Sequence, residues 1–151
     1  MDIINLLENN KEQIVEEAFE TISPVKLQGY TKVGEERTKN KLRKLLEQTI
    51  ICIKEKTLIP MLQYTEGMAQ ERYSAGYDLY EVQTAINSLE ESKWKRIFKE
   101  IKPEDYSEAL GMTSTVLGAG KDNLARTYVS LAAKQKSTSL NLQELFKGNM
   151  S

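Results

Sequence analysis

The chain has 151 residues, with 21 lysines and arginines against 22 aspartates and glutamates and a net charge of −1. That length fits one domain able to bury on the order of two thirds of its unfolded surface without a disulfide staple, and the mixed signs leave no electrostatic footprint for DNA, RNA or an anionic membrane. Histidine is absent, which excludes Ser/His/Asp and Cys/His triads, Cys/His zinc sites, histidine-ligated haem and the Glu-x-x-His pairs of two-metal bundles.

Apolar residues recur at three- and four-residue steps almost throughout, and no alternating strand pattern stands out, so the expected fold class is all-α. The first helix is expected from about Asp2 to Ile22, either continuous or broken near Asn9 and Asn10, with Ile14, Val15, Ala18, Phe19 and Ile22 on one face and Ser23 and Pro24 as its end. Residues 24–33 lack helical spacing and read as an ordered connector. A second helix, about Gly34 to Thr57, begins with Glu35 and Glu36 and carries Leu42, Leu45, Leu46, Thr49, Ile50 and Ile53 on one stripe. Cys52, the only cysteine, lies in that apolar run; it excludes an internal disulfide and fits a reducing compartment, as an inert core residue.

Pro60 suits the first turn of a third helix ending near Ala75. Gly76 then supplies a left-handed stop, and Asp78 with Glu81 forms a capping box for a fourth helix reaching about Lys99, with Leu79, Val82, Ile86, Leu89, Lys93 and Ile97 following one another at helical spacing. Pro103, Glu104 and Asp105 start a fifth helix running to about Lys136. Along it Leu110, Leu117, Leu124 and Leu131 recur every seven residues. The stripe packs inside the domain, or part of it forms a dimer seam in which Gly118, Ala119 and Gly120 let backbones approach. Asn141 with Glu144 and Gly148 mark a short last helix, Asn141 to Phe146, within the 137–151 tail.

Two superficial motifs fail on inspection. In GAGKD, Gly118 to Asp122, the first Walker A glycine is replaced by Thr115, Asp122 follows the lysine, and no strand precedes it. The helix after the Gly76 turn begins DLYEVQTAINSLEE, with four acids and no base, so it cannot serve as a DNA-recognition helix. The early acids of MDIINLLENNKEQ and the lack of any run of about 18 apolar residues argue against a signal peptide and membrane insertion, so a soluble cytoplasmic protein is expected.

The segment Glu71 to Phe98, with Arg72, Gly76, Asp78, Glu81 and Trp94 in order, together with VLGAGKDNLARTYVSL, Val116 to Leu131, resembles the N-terminal domain of the RsbR and RsbRD co-antagonists of bacterial stress signalling. That resemblance implies a single globin-like domain of five to six helices over 1–151, holding no haem or other cofactor. It implies a non-enzymatic, dimeric sensory module that precedes a STAS-type domain or a signalling kinase in longer relatives. This chain ends soon after its long helix, so a standalone sensor is expected. An apolar ligand such as a fatty acid would occupy the place of haem, with Cys52, Met61, Met68, Tyr73, Ile86 and Trp94 as its lining. The dimer or partner seam would be Leu110, Leu117, Gly118, Gly120, Leu124 and Leu131. The alternative is a helical adaptor without a small-molecule site.

Overall fold

A computed structural model describes residues 2–26, 32–77 and 79–148, with backbone alone at 23–26, 32–33 and 136–148. Six α-helices follow one another: α1 (Ile3–Asn9), α2 (Lys11–Lys26), α3 (Lys32–Glu55), α4 (Ile59–Ser74), α5 (Leu79–Glu100) and α6 (Tyr106–Gly148), with one 3₁₀ turn, Pro103–Asp105, ahead of α6. The chain is therefore all-α, a single helical domain, with no strand among the described residues. Helix α6 packs most extensively on α4 and also against α5, while α2 lies along α5.

The break at Asn10 has a definite cause. Its side-chain amide donates to the Leu6 carbonyl at 2.9 Å and to Glu100 Oε2 at 3.0 Å, so the α1–α2 joint is tied to the end of α5. The Ile14 amide still reaches the Asn10 carbonyl at 2.8 Å, which makes the joint a kink rather than a loop.

Three boundaries differ from the sequence expectation. Helix α2 continues past Ser23 and Pro24 to Lys26; the proline forfeits one i→i−4 bond and crowds the carbonyl four residues before it, but it stands only two residues from the helix end. The connector accordingly shrinks: 24–26 belong to α2, 32–33 to α3, and 27–31 lie outside the described residues. Helix α6 runs unbroken to Gly148, so the separate helix from Asn141 to Phe146 does not form. Neither glycine nor proline occurs between Lys121 and Lys147, and the serine and threonine at 137–139 are weak helix formers rather than breakers.

The Gly76 stop is realised in full. Gly76 takes φ 87°, its amide donates to the Tyr73 carbonyl at 3.1 Å and the Tyr77 amide to the Arg72 carbonyl at 3.0 Å. This is a Schellman closure. The Arg72 guanidinium sits 4.7 Å over the Tyr77 ring, adding a cation–π contact across the same turn. Asp78 lies outside the described residues.

The tightest contact in the bundle is between α4 and α6. A Cβ on Gly120 would stand 2.8 Å from Met61 Sδ and 3.2 Å from Thr65 Cγ2. One turn on, the Asn123 side-chain amide donates to the Leu62 carbonyl at 2.9 Å and to Thr65 Oγ1 at 3.2 Å. Leu117 and Leu124 flank the crossing and are buried. Gly118, two residues away, meets nothing within 4 Å. Gly120→Val is therefore expected to lower unfolding free energy by about 1–3 kcal/mol through overpacking, whereas Gly118→Ala should raise it by about 0.5–1 kcal/mol through helix propensity alone. Urea unfolding of the two variants against the parent checks both signs.

Candidate functional site

At the end of the bundle where α3 passes into α4 and α5 into α6, a cleft of about 920 Å³ opens to solvent. Ile3 and Ile4 of α1 form one side, Cys52 and Ile53 of α3 with Thr57 and Leu58 of the following turn a second, and Ala109, Met112 and Val116 of α6 a third; Ile101 closes it beyond α5. Its mouth carries Asp2, Lys54, Lys56, Asp105 and Glu108. An apolar interior with a few polar groups at the rim is the usual form of a small-molecule site.

Local sequence explains each wall. Asp2 caps α1 by accepting the Asn5 amide at 2.8 Å, which sets Ile3 and Ile4 on the first turn. Helix α3 closes through the Thr57 amide on the Cys52 carbonyl at 3.2 Å, with Lys56 in the left-handed region at φ 55°. Pro60 begins α4, so the turn between them is short and presents Leu58 to the cleft. Pro103 starts the 3₁₀ turn and swings α6 across the same opening.

Cys52 is the one expected lining residue that the cleft contains. It is buried, and burial pushes its thiol above the ordinary value, keeping it protonated and a poor nucleophile. Met61, Met68 and Ile86 are buried in the core; Met61 fills the space beside Gly120. Tyr73 stands edge-on to Tyr128 at 5.7 Å between ring centres and hydrogen-bonds Gln135 through its hydroxyl. Trp94 lies on the outer side of α5, 42% exposed, one turn from Phe98 at 53%. The six thus do not converge on one cavity. Of the seam residues, Leu117, Gly120 and Leu124 face inward, Leu110 and Leu131 are half-buried, and Gly118 faces open space.

A second depression, about 460 Å³, lies between α2 and α5 and is lined by charges. Several of its groups are matched within the fold: Arg96 donates to Glu17, and Ser92 Oγ lies 3.0 Å from the same carboxylate and 3.3 Å from the Ile14 carbonyl. Burial pushes the Glu17 carboxyl up, but the Arg96 and Ser92 hydrogen bonds outweigh it and hold the group below its usual range. Among the described residues no group of three or more Cys, Asp or Glu side chains is placed to hold a metal ion, and no helix is long and apolar enough to cross a membrane.

Among the described residues, two buried polar atoms have no hydrogen-bond partner, the Tyr64 hydroxyl and Lys93 Nζ. Burial pushes the Tyr64 phenol up to about 12. Lys93 is wholly buried on the inner stripe of α5, between Leu89 and Ile97. Burial depresses its ammonium to about 8, partly opposed by the Glu90 carboxylate at 3.9 Å. Helical spacing places Lys93 on the inner face, but sequence alone does not show that its nitrogen stays inside instead of snorkelling to water.

The chain matches no protein-family model and no curated protein sequence.

The depressed Lys93 value fixes a pH dependence. Between about 8 and its ordinary 10.5 the unfolded chain binds the proton that the folded chain has lost, so stability rises with pH over that window, by about 3 kcal/mol in total. Lys93→Met should remove that slope and raise stability at pH 7. Chemical denaturation at pH 7, 8, 9 and 10 tests it, and an unchanged slope in the variant would show that Lys93 does not titrate in this range.

Proposed function

We propose that this chain is a non-enzymatic sensory domain that takes an apolar small ligand in the cleft between α1, the α3–α4 turn and the start of α6. The single observation that carries the reading is the cleft itself, about 920 Å³ with largely apolar walls. The cleft adjoins both chain reversals, so a molecule within it touches α1, α3 and α6 together and favours one arrangement of them over another. Differential binding of that kind is what a signal-responsive domain requires. The absence of histidine and the protonated, buried Cys52 give no nucleophile with a base beside it, which supports binding rather than catalysis.

The resemblance to stress-signalling co-antagonist domains, with Arg72 and Gly76 in place and Trp94 on the surface, supports a role in partner binding: a homodimer, or a complex with a kinase or STAS-type protein. An adaptor without a ligand is the second reading. It is favoured by the outward aromatic pair Trp94 and Phe98 and by Tyr80, 76% exposed on the same helix, because aromatic side chains at the surface are frequent interface anchors.

Met112→Trp should fill the cleft. With the neutral apolar dye N-phenylnaphthylamine, the parent is expected to give saturable fluorescence enhancement, weakened about tenfold or more in Met112→Trp and unchanged in Trp94→Ala. No saturable binding by the parent would leave the adaptor reading alone.

A further inference from the structure

Helix α1 is the most lightly held wall of the cleft. It has seven residues, and a helix that short does not keep its form in water away from a packing surface. It buries only Ile3, Leu6 and Leu7, where α2 buries Ile14, Val15, Ala18, Phe19 and Ile22. Elements with few buried apolar contacts are the ones that open at a cost below that of global unfolding. Among the described residues two side-chain links tie α1 and its end to other helices: Glu8 pairs with Lys54 of α3, and the Asn10 amide donates to Glu100 of α5.

The second link is made by two residues that local preference disfavours. Asparagine is a poor helix former, and at position 10 it interrupts what would otherwise be one helix from residue 3 to residue 26. Glu100 is the last residue of α5, where the negative end of the helix favours a cation over a carboxylate. Each residue is costly where it stands, and the two meet at 3.0 Å with Asn10 only 8% exposed. Paired departures from local preference at one contact point to a role beyond folding. This contact lies at the joint of the element that walls one side of the cleft.

We propose that α1 is a lid hinged at Asn10, with the Asn10–Glu100 hydrogen bond as its latch. The lid swings out as a unit while α2 to α6 stay in place, and the cleft opens on the side formed by Ile3 and Ile4. A joint at the junction of two elements, absorbing the backbone change, is the usual form of a hinge. The inference does not depend on the class of molecule that the cleft takes. Cys52, 2% exposed, lines the same cleft, so its thiol reports the opening.

Iodoacetamide labelling of Cys52 in the full chain at pH 8, across urea concentrations below the unfolding transition, tests this together with hydrogen exchange read by mass spectrometry. In the parent, labelling is expected to vary little with urea, because a lid exposes far less surface than global unfolding, and α1 is expected to exchange faster than α2 and α3. Glu100→Ala should speed labelling about tenfold with the shallow urea dependence kept, as the loss of one charge-assisted hydrogen bond requires. Glu100→Gln, which keeps an accepting oxygen, should fall between the two. Labelling in the parent that follows the urea dependence of global unfolding would overturn the lid. So would exchange at the α3–α4 turn with α1 protected, or a Glu100→Ala variant that labels at the parent's rate, and each of these results would leave the cleft itself in place.

Discussion

The crossing of α4 over α6 at Gly120 sets the geometry of the rest of the molecule. Because residue 120 has no side chain, Met61 and Thr65 approach the α6 backbone directly, and Asn123 reaches the Leu62 carbonyl. Met61 is only three residues beyond Leu58, so the same contact fixes where the α3–α4 turn stands relative to the first turns of α6. The width of the apolar cleft follows from that distance. A bulkier residue at 120 would move one wall of the site as well as the core.

The fold tolerates two costly arrangements, one beside the cleft and one at its centre, and they differ in kind. Lys93 is an ammonium enclosed by the inner face of α5, with a single carboxylate 3.9 Å away. Such a group is stabilised by losing its proton, so its cost is a function of pH. Lys56 is an exposed ammonium whose cost lies in its backbone, and that cost is independent of pH. Neither arrangement contributes to stability, and only the second stands beside a cavity.

The helices were legible from the three- and four-residue spacing of buried positions: Leu42, Leu45, Leu46 and Ile50 on α3, and Val82, Ile86, Leu89 and Ile97 on α5, are buried as that spacing requires. The Gly76 stop was equally legible, since left-handed backbone has one natural occupant. The cleft was not, because it is built from residues beside the main stripes, such as Met112, Thr57 and Leu58, that meet only when three helix ends converge. Trp94 illustrates the converse: its place in a family-like pattern says nothing of which way α5 turns it, and it faces solvent. Lys56 carries no local signal at all, because lysine is an ordinary residue for a helix end until its φ is known.

The central claim is that ligand occupies the cleft between α1, the α3–α4 turn and α6. The most direct measurement is a ¹H–¹⁵N and methyl chemical-shift titration of the full chain with dodecanoate. The account predicts that the largest changes fall on Ile4, Ile53, Leu58, Ala109 and Met112, with Met68 and Ile86 little affected. Changes centred on Trp94 and Phe98, or spread evenly through the bundle, would contradict it.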